Sequence, residues 1–91
     1  MTTNIINAIV TAYVATGNLD ASGHIPKVGI TCAGPRNIPL YTKVYIEHVG
    51  WRLVTDRINK RFNGRFDIFV ADKSTALKFG KQTLKVTIYN S

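Results

Sequence analysis

The sequence predicts a mainly β protein: six strands closed into a small barrel, with one short helix. Three observations lead there. Six short runs are apolar or alternate apolar with polar, and Gly, Pro and Asn punctuate the spaces between them. One stretch alone has helical character with capping residues at both ends. A chain of 91 residues has room for one compact core, and closing the sheet removes its exposed edges.

Residues 6–14, rich in Ile, Val and Tyr, form the first predicted strand. Residues 15–29 contain Gly17, Asn18, Asp20, Ser22, Gly23, Pro26 and Gly29 and make the longest loop. Long loops on small scaffolds often carry function. Residues 30–33 form a short strand, which Gly34-Pro35 breaks before Ile38-Pro39-Leu40 leads out of the turn. Residues 42–49 place Val44, Ile46 and His48 on one face and Lys43, Tyr45 and Glu47 on the other, so His48 is expected in the core. Gly50 turns the chain, and residues 51–56 alternate again, as the second arm of a hairpin. Residues 66–70 direct Phe66, Ile68 and Val70 opposite to Asp67 and Phe69. Residues 72–80 predict the helix: Asp72 caps its start, Ala76, Leu77 and Phe79 give the apolar side, and Gly80 suits the left-handed end. Residues 83–89 then turn Leu84, Val86 and Ile88 inward and Thr83, Lys85 and Thr87 outward. A single domain over residues 1–91 is expected.

Twelve basic residues stand against five acidic ones, a net charge of +7. That balance favours a polyanionic partner: nucleic acid, an anionic membrane surface or the anionic bacterial wall. No stretch has the length of a membrane-spanning helix, so no membrane insertion is expected. The apolar start lacks the basic segment and cleavage site of a signal peptide. This suits a phage lysis or virion-associated protein, or a domain of a longer one. Cys32 is the single cysteine, which excludes an intrachain disulfide and a cysteine zinc site. Within its apolar run it reads as a buried thiol, and neither His24 nor His48 has a diagnostic spacing to it. No His, Asp and Glu spacing indicates a metal, and no cofactor is expected.

Residues 55–69 hold Asp56 and Asp67, two of the five acids, each within or at the end of an apolar run. Between them lies a loop with Arg57, Lys60, Arg61, Arg65 and the turn pair Asn63-Gly64. Two carboxyl groups joined by a basic loop suit acid–base chemistry. On these residues alone the more ordinary reading is a surface salt-bridge cluster in which Asp67 pairs with Arg57 or Arg65.

Several motifs together resemble the 3D domain, named for three aspartates. Thr11-Ala12-Tyr13, then Ala21-Ser22-Gly23 and Pro26-Lys27-Val28-Gly29, resemble its opening. Ile38-Pro39-Leu40 with Thr42-Lys43-Val44-Tyr45-Ile46 is similar to its Ile-Pro-Leu/Phe-Gly-Thr-Lys-Val-Tyr-Ile segment. Asp56-Arg57 and Asn63-Gly64-Arg65-Phe66-Asp67-Ile68-Phe69 resemble the segment with its second and third aspartates. Ala76-Leu77 and Phe79-Gly80 resemble the helix that follows. The match runs in order along nearly the whole chain. That family is similar to the catalytic domain of MltA-type lytic transglycosylases, which implies a double-psi β-barrel and cleavage of peptidoglycan glycan strands. Gly34-Pro35 replaces the family's first aspartate, and Ile58-Asn59-Lys60-Arg61-Phe62 replaces a glycine-rich stretch.

The resemblance implies a reaction at the bond between N-acetylmuramic acid and N-acetylglucosamine. The muramyl 6-hydroxyl closes on its own anomeric carbon, so no water need be positioned and one carboxyl group can serve as acid and then base. Asp67 matches the family's catalytic acid, and Asp56 would raise its pKa or orient substrate. Thr11, Tyr13 and Ser22 would contact sugar hydroxyl or N-acetyl groups, with Arg57 and Arg65 beside them. Trp51 would stack on a sugar or cover a barrel edge, and His24 would border the groove. A wall-glycan-binding module without catalysis is the second reading. A basic nucleic-acid-binding barrel is the third and weakest, because it needs stacking aromatics among the cations, and the aromatics here fall mostly at strand positions that read as internal.

Overall fold

A computed structural model describes residues 2–90 as a closed barrel of six strands with one short α-helix. In chain order these are β1 (Thr2–Tyr13), β2 (Thr31–Gly34), β3 (Lys43–Ile46), β4 (Gly50–Arg57), β5 (Phe66–Phe69), α1 (Lys73–Phe79) and β6 (Gln82–Asn90). Around the barrel the order is β1-β5-β2-β4-β3-β6.

β1 and β4 each pair in opposite senses with their two neighbours. Residues 2–10 of β1 run antiparallel to β6, and residues 10–13 run parallel to β5. In β4, residues 50–53 run antiparallel to β3, and the end of the strand runs parallel to β2. Exchanging β1, β2 and β3 for β4, β5 and β6 therefore preserves every neighbour and every pairing sense. This internal twofold connectivity is the double-psi arrangement.

Alternation fills the interior. Val10, Val44, Ile46, Val54, Phe66 and Val86 are fully buried, joined by Ile68, Leu84 and Ile88. Closure leaves no central sheet edge to solvent. The Asp72 carboxylate accepts the Thr75 N–H at 2.8 Å to start α1, and Gly80 ends it at a φ of +66°. Ala76 and Phe79, three apart, press against the core, and the helix lies on β1.

Four expectations need correction. Leu77 is 72% exposed, because a two-turn helix buries one narrow stripe and residue 77 is rotated off it. β3 stops at Ile46, and His48 is an exposed turn residue at φ +66°, not a core histidine. Histidine is among the side chains that tolerate that left-handed backbone. β1 begins at Thr2, where pairing with β6 overrides a polar sequence. Finally, the aromatics are less internal than expected: four of the nine, Tyr41, Tyr45, Trp51 and Phe62, are exposed, with Tyr45 on the outward face its alternation predicts.

Candidate functional site

Strand register brings the two sequence-predicted carboxylates to one row. Thr11 of β1 pairs with Asp67 of β5, Asp67 with Ala33 of β2, and Ala33 with Asp56 of β4. Ala33 thus stands between the two acids, and its methyl group leaves the space above it open. Alternation alone would spoil the arrangement: Val54 and Asp56 are two residues apart and would share a face. Val54 belongs to the core. The register slips between Cys32, which faces Val54, and Ala33, which faces Asp56, so Thr55 is an extra residue on β4. A bulge of this kind re-aims the following side chain, and here it turns Asp56 out of the core into the groove. Thr55 itself is buried, and its carbonyl accepts the Ser22 N–H at 3.0 Å.

The result is a groove of about 440 Å³ lined by Thr11, Tyr13, Asp56, Arg57, Arg65 and Asp67, with Ile58 and Phe62 on one wall. The volume is in the range of small-ligand sites. The Thr11 hydroxyl donates to Asp67 Oδ1 at 3.0 Å, and no other hydrogen bond ties that carboxyl among the described residues. Burial raises the Asp67 pKa above the usual carboxylate range; the Thr11 hydrogen bond opposes this and the charge of Asp56 adds to it. Asp67 is thereby biased toward the protonated form, as a proton donor requires.

Asp56 is held quite differently. The Tyr13 hydroxyl donates to its Oδ2 at 3.0 Å, while the N–H groups of Ala21 and Arg57 donate to its Oδ1 at 3.1 and 2.9 Å. Burial and then the neighbouring Asp56 charge push the Tyr13 phenol well above its ordinary pKa, so it remains a donor. Its ring meets Phe69 edge-on at 5.3 Å. Through Ala21, Asp56 anchors the preceding long loop.

The salt-bridge cluster does not form among the described residues. The Arg57 guanidinium donates to the carbonyls of Pro35 and Ile38, stapling that turn, and Arg65 lies 4.8 Å over the Phe62 ring. Both cations still line the groove. Ser22 lies beside the groove and not in it. Its hydroxyl donates to Asp20 Oδ1 at 2.6 Å and lies 3.0 Å from His24 Nδ1. Trp51 sits on another part of the barrel, against Tyr45. Cys32 is fully buried, and that burial pushes its thiol up to about 12. Among the described residues no cluster of three or more His, Cys, Asp or Glu could hold a metal, and no helix is long and apolar enough to cross a membrane.

Sequence reasoning missed the organiser of the long loop. Asp20 Oδ1 accepts from Ser22 N–H, the Ser22 hydroxyl and His24 N–H, at 3.0, 2.6 and 3.0 Å. Its spacing to Ser22 is the signal that would have found it, since Asp bonds the backbone two residues on in an Asx-turn. A Cβ on Gly34 would meet Val54 Cγ1 at 3.0 Å, so the core crowds any side chain there.

No family model matches the chain, and no solved structure matches it. It is similar to two curated proteins of Bacillus subtilis (strain 168). Over 89 residues it is 30% identical to "Putative cell wall shaping protein YabE", covering 88% of this chain and 22% of that protein. Over 65 residues it is 32% identical to "Cell wall-binding protein YocH", covering 71% of this chain and 23% of that protein. The chain spans less than a quarter of the length of either.

Proposed function

We propose that this domain cleaves peptidoglycan glycan strands as a lytic transglycosylase, with Asp67 as general acid and then general base. The observation that carries the reading is the Asp67 carboxyl itself: part-buried in an open groove, tied to one hydroxyl, and raised in pKa by burial and by Asp56. The resemblance to the 3D domain and the wall-related names of the two similar proteins support the same substrate.

In this reading protonated Asp67 donates to the glycosidic oxygen as its bond to the muramyl anomeric carbon breaks. The muramyl 6-hydroxyl attacks that carbon and yields its proton to the Asp67 carboxylate. The carboxyl is regenerated, no water is consumed, and the product has an anhydro-muramyl end. Asp56 stays at a fixed position because Tyr13, Ala21 and Arg57 hold it, and its charge resists premature ionisation of Asp67. Thr11 orients the acid. Arg65 and Arg57 give the groove a positive flank for the carboxylates of the wall polymer.

The test is the chemistry of the released ends. Digestion of purified peptidoglycan should release fragments with anhydro-muramyl ends, identified by mass spectrometry. Reducing ends formed by hydrolysis would contradict the transglycosylase reading. A second reading, a wall-glycan-binding module, is favoured by one observation. Residues Lys60–Phe62 form a tight 3₁₀ turn where the resembled family has glycines, and Ile58 and Phe62 wall the groove. Retention on peptidoglycan with no fragment released would select that reading.

A further inference from the structure

A second groove, of about 590 Å³, is lined by Pro39, Tyr41, Lys43, Trp51 and Tyr89 among others, and shares no residue with the Asp67 groove. In the barrel order the β3–β6 pair that carries Lys43 and Tyr89 is diametrically opposite the β5–β2 pair that carries Asp67 and Ala33. Trp51 is 50% exposed, yet its position is fixed by Tyr45, edge-on at 5.1 Å, and by Tyr89, tilted at 5.0 Å. The Lys43 ammonium lies 5.6 Å from the Trp51 ring centre. Among the described residues Lys43 is the one charged side chain in the lining, and the lining contains no Asp or Glu.

Tyr41 adds an independent observation. It stands at φ +73° and is 55% exposed. For a bulky residue that backbone is an outlier, and glycine adopts it without strain. The neighbouring chain enforces it: Tyr41 N–H donates to the Val54 carbonyl at 2.7 Å, and the Thr42 hydroxyl to the Pro39 carbonyl at 2.7 Å. The exposed ring repays little of the strain through packing. Backbone strain kept by an exposed aromatic at a groove rim is a mark of function.

We propose that this groove is a second, non-catalytic saccharide-binding surface. It takes a carboxylate-bearing glycan, with a pyranose ring against Trp51 and Tyr41 and the carboxylate at the Lys43 ammonium. The apolar C–H face of the ring supplies contact area to rigid aromatics, and the lone cation supplies charge complementarity. The choice of a peptidoglycan strand as that glycan rests on the function proposed above. A nucleic-acid strand fits less well, because it needs cations repeated along the backbone track, and this groove offers one.

Trp51 is the single tryptophan, so its emission reports on its own surface. The probe is a soluble, uncrosslinked muramyl glycan fragment, titrated into wild type and into Asp67→Asn, which separates binding from turnover. A saturable change in emission is expected in both. Tyr41→Gly should weaken binding by roughly tenfold, the order lost with an aromatic anchor, while its thermal midpoint rises as the strain is relieved. Trp51→Ala should weaken calorimetric binding similarly and leave cleavage of short soluble fragments unchanged. Blocking the carboxylates of the fragment should weaken the binding reported by Trp51 emission in wild type but not in Lys43→Ala, because the Arg57 and Arg65 flank of the other groove does not touch Trp51. Full affinity in Tyr41→Gly and Trp51→Ala would overturn the proposal. So would preferential binding of teichoic acid or single-stranded DNA, or self-association through this face without saccharide binding. Cleavage that survives Asp67→Asn would remove the catalytic assignment and leave this surface standing.

Discussion

Ionising Asp67 works against the fold, and the chemistry proposed for it uses that opposition. Its folded pKa is raised above the ordinary value of 3.8, so its contribution to stability is complete below that value and is lost as pH rises through the folded one. The acid form disappears over the same span. The rate of glycan cleavage should therefore fall along a single limb as pH rises through the raised pKa, read from initial rates on labelled peptidoglycan. A rate that climbs across that span would mean the ionised carboxylate is the working form. Tyr13 acts one step away, through Asp56. Tyr13→Phe keeps the ring contact with Phe69 but removes the donor to Asp56 Oδ2. Losing a hydrogen bond to a charged acceptor should cost about 1–3 kcal/mol in urea denaturation, with slower cleavage because Asp56 is less firmly placed. Unchanged stability would show that the phenol contributes nothing through that bond.

Among the elements, the long loop between β1 and β2 depends on one carboxylate. Asp20→Ala strips the acceptor from two N–H groups and the Ser22 hydroxyl, and should cost about 1–3 kcal/mol. Burial alone would raise the Asp20 pKa, but hydrogen bonds from Ser22 and His24 lower it. Its stabilisation is therefore present at neutral pH and lost as pH falls through the depressed value. The gap in thermal midpoint between wild type and Asp20→Ala should close in acid, and a gap that stays constant would contradict this role. The strands themselves were readable because period-two alternation survives in 66–70 and 83–89, and the helix because Asp72 and Gly80 mark its ends. The placing of Asp67 and Asp56 in one groove was partly readable, from two carboxylates that bracket a basic loop. Its cause was not. Thr55 is one polar residue in an alternating run, and only the partner strand reveals that it is a bulge. The fate of Arg57 was equally hidden, since the carbonyls of Pro35 and Ile38 come within its reach only when the barrel closes. His48 and Tyr41 share a further reason: a left-handed backbone at a non-glycine residue leaves no mark in a hydrophobic pattern.

At the scale of the whole molecule, charge and topology act together. A net charge of +7 on a barrel 35 Å in its longest extent favours an anionic polymer wherever it meets the surface. Retention on purified wall sacculi should weaken as salt rises, because exposed charges are screened over about 8–10 Å near physiological ionic strength. Retention that is flat across a wide salt range would assign binding to the grooves alone. The barrel order sets the carboxylate groove and the aromatic groove on opposite faces. The two linings share no residue, so a variant in one groove can be read without disturbing the other. Asp67→Asn exploits this most directly. It keeps the side-chain volume and removes the transferable proton, so release of anhydro-muramyl fragments should fall by at least about 10²-fold. In the same preparation the thermal midpoint at neutral pH should be unchanged or higher, because a carboxyl group that resists ionisation has been replaced by a neutral amide. Cleavage near the wild-type rate, accompanied by a lower midpoint, would contradict the account and make Asp67 a structural residue.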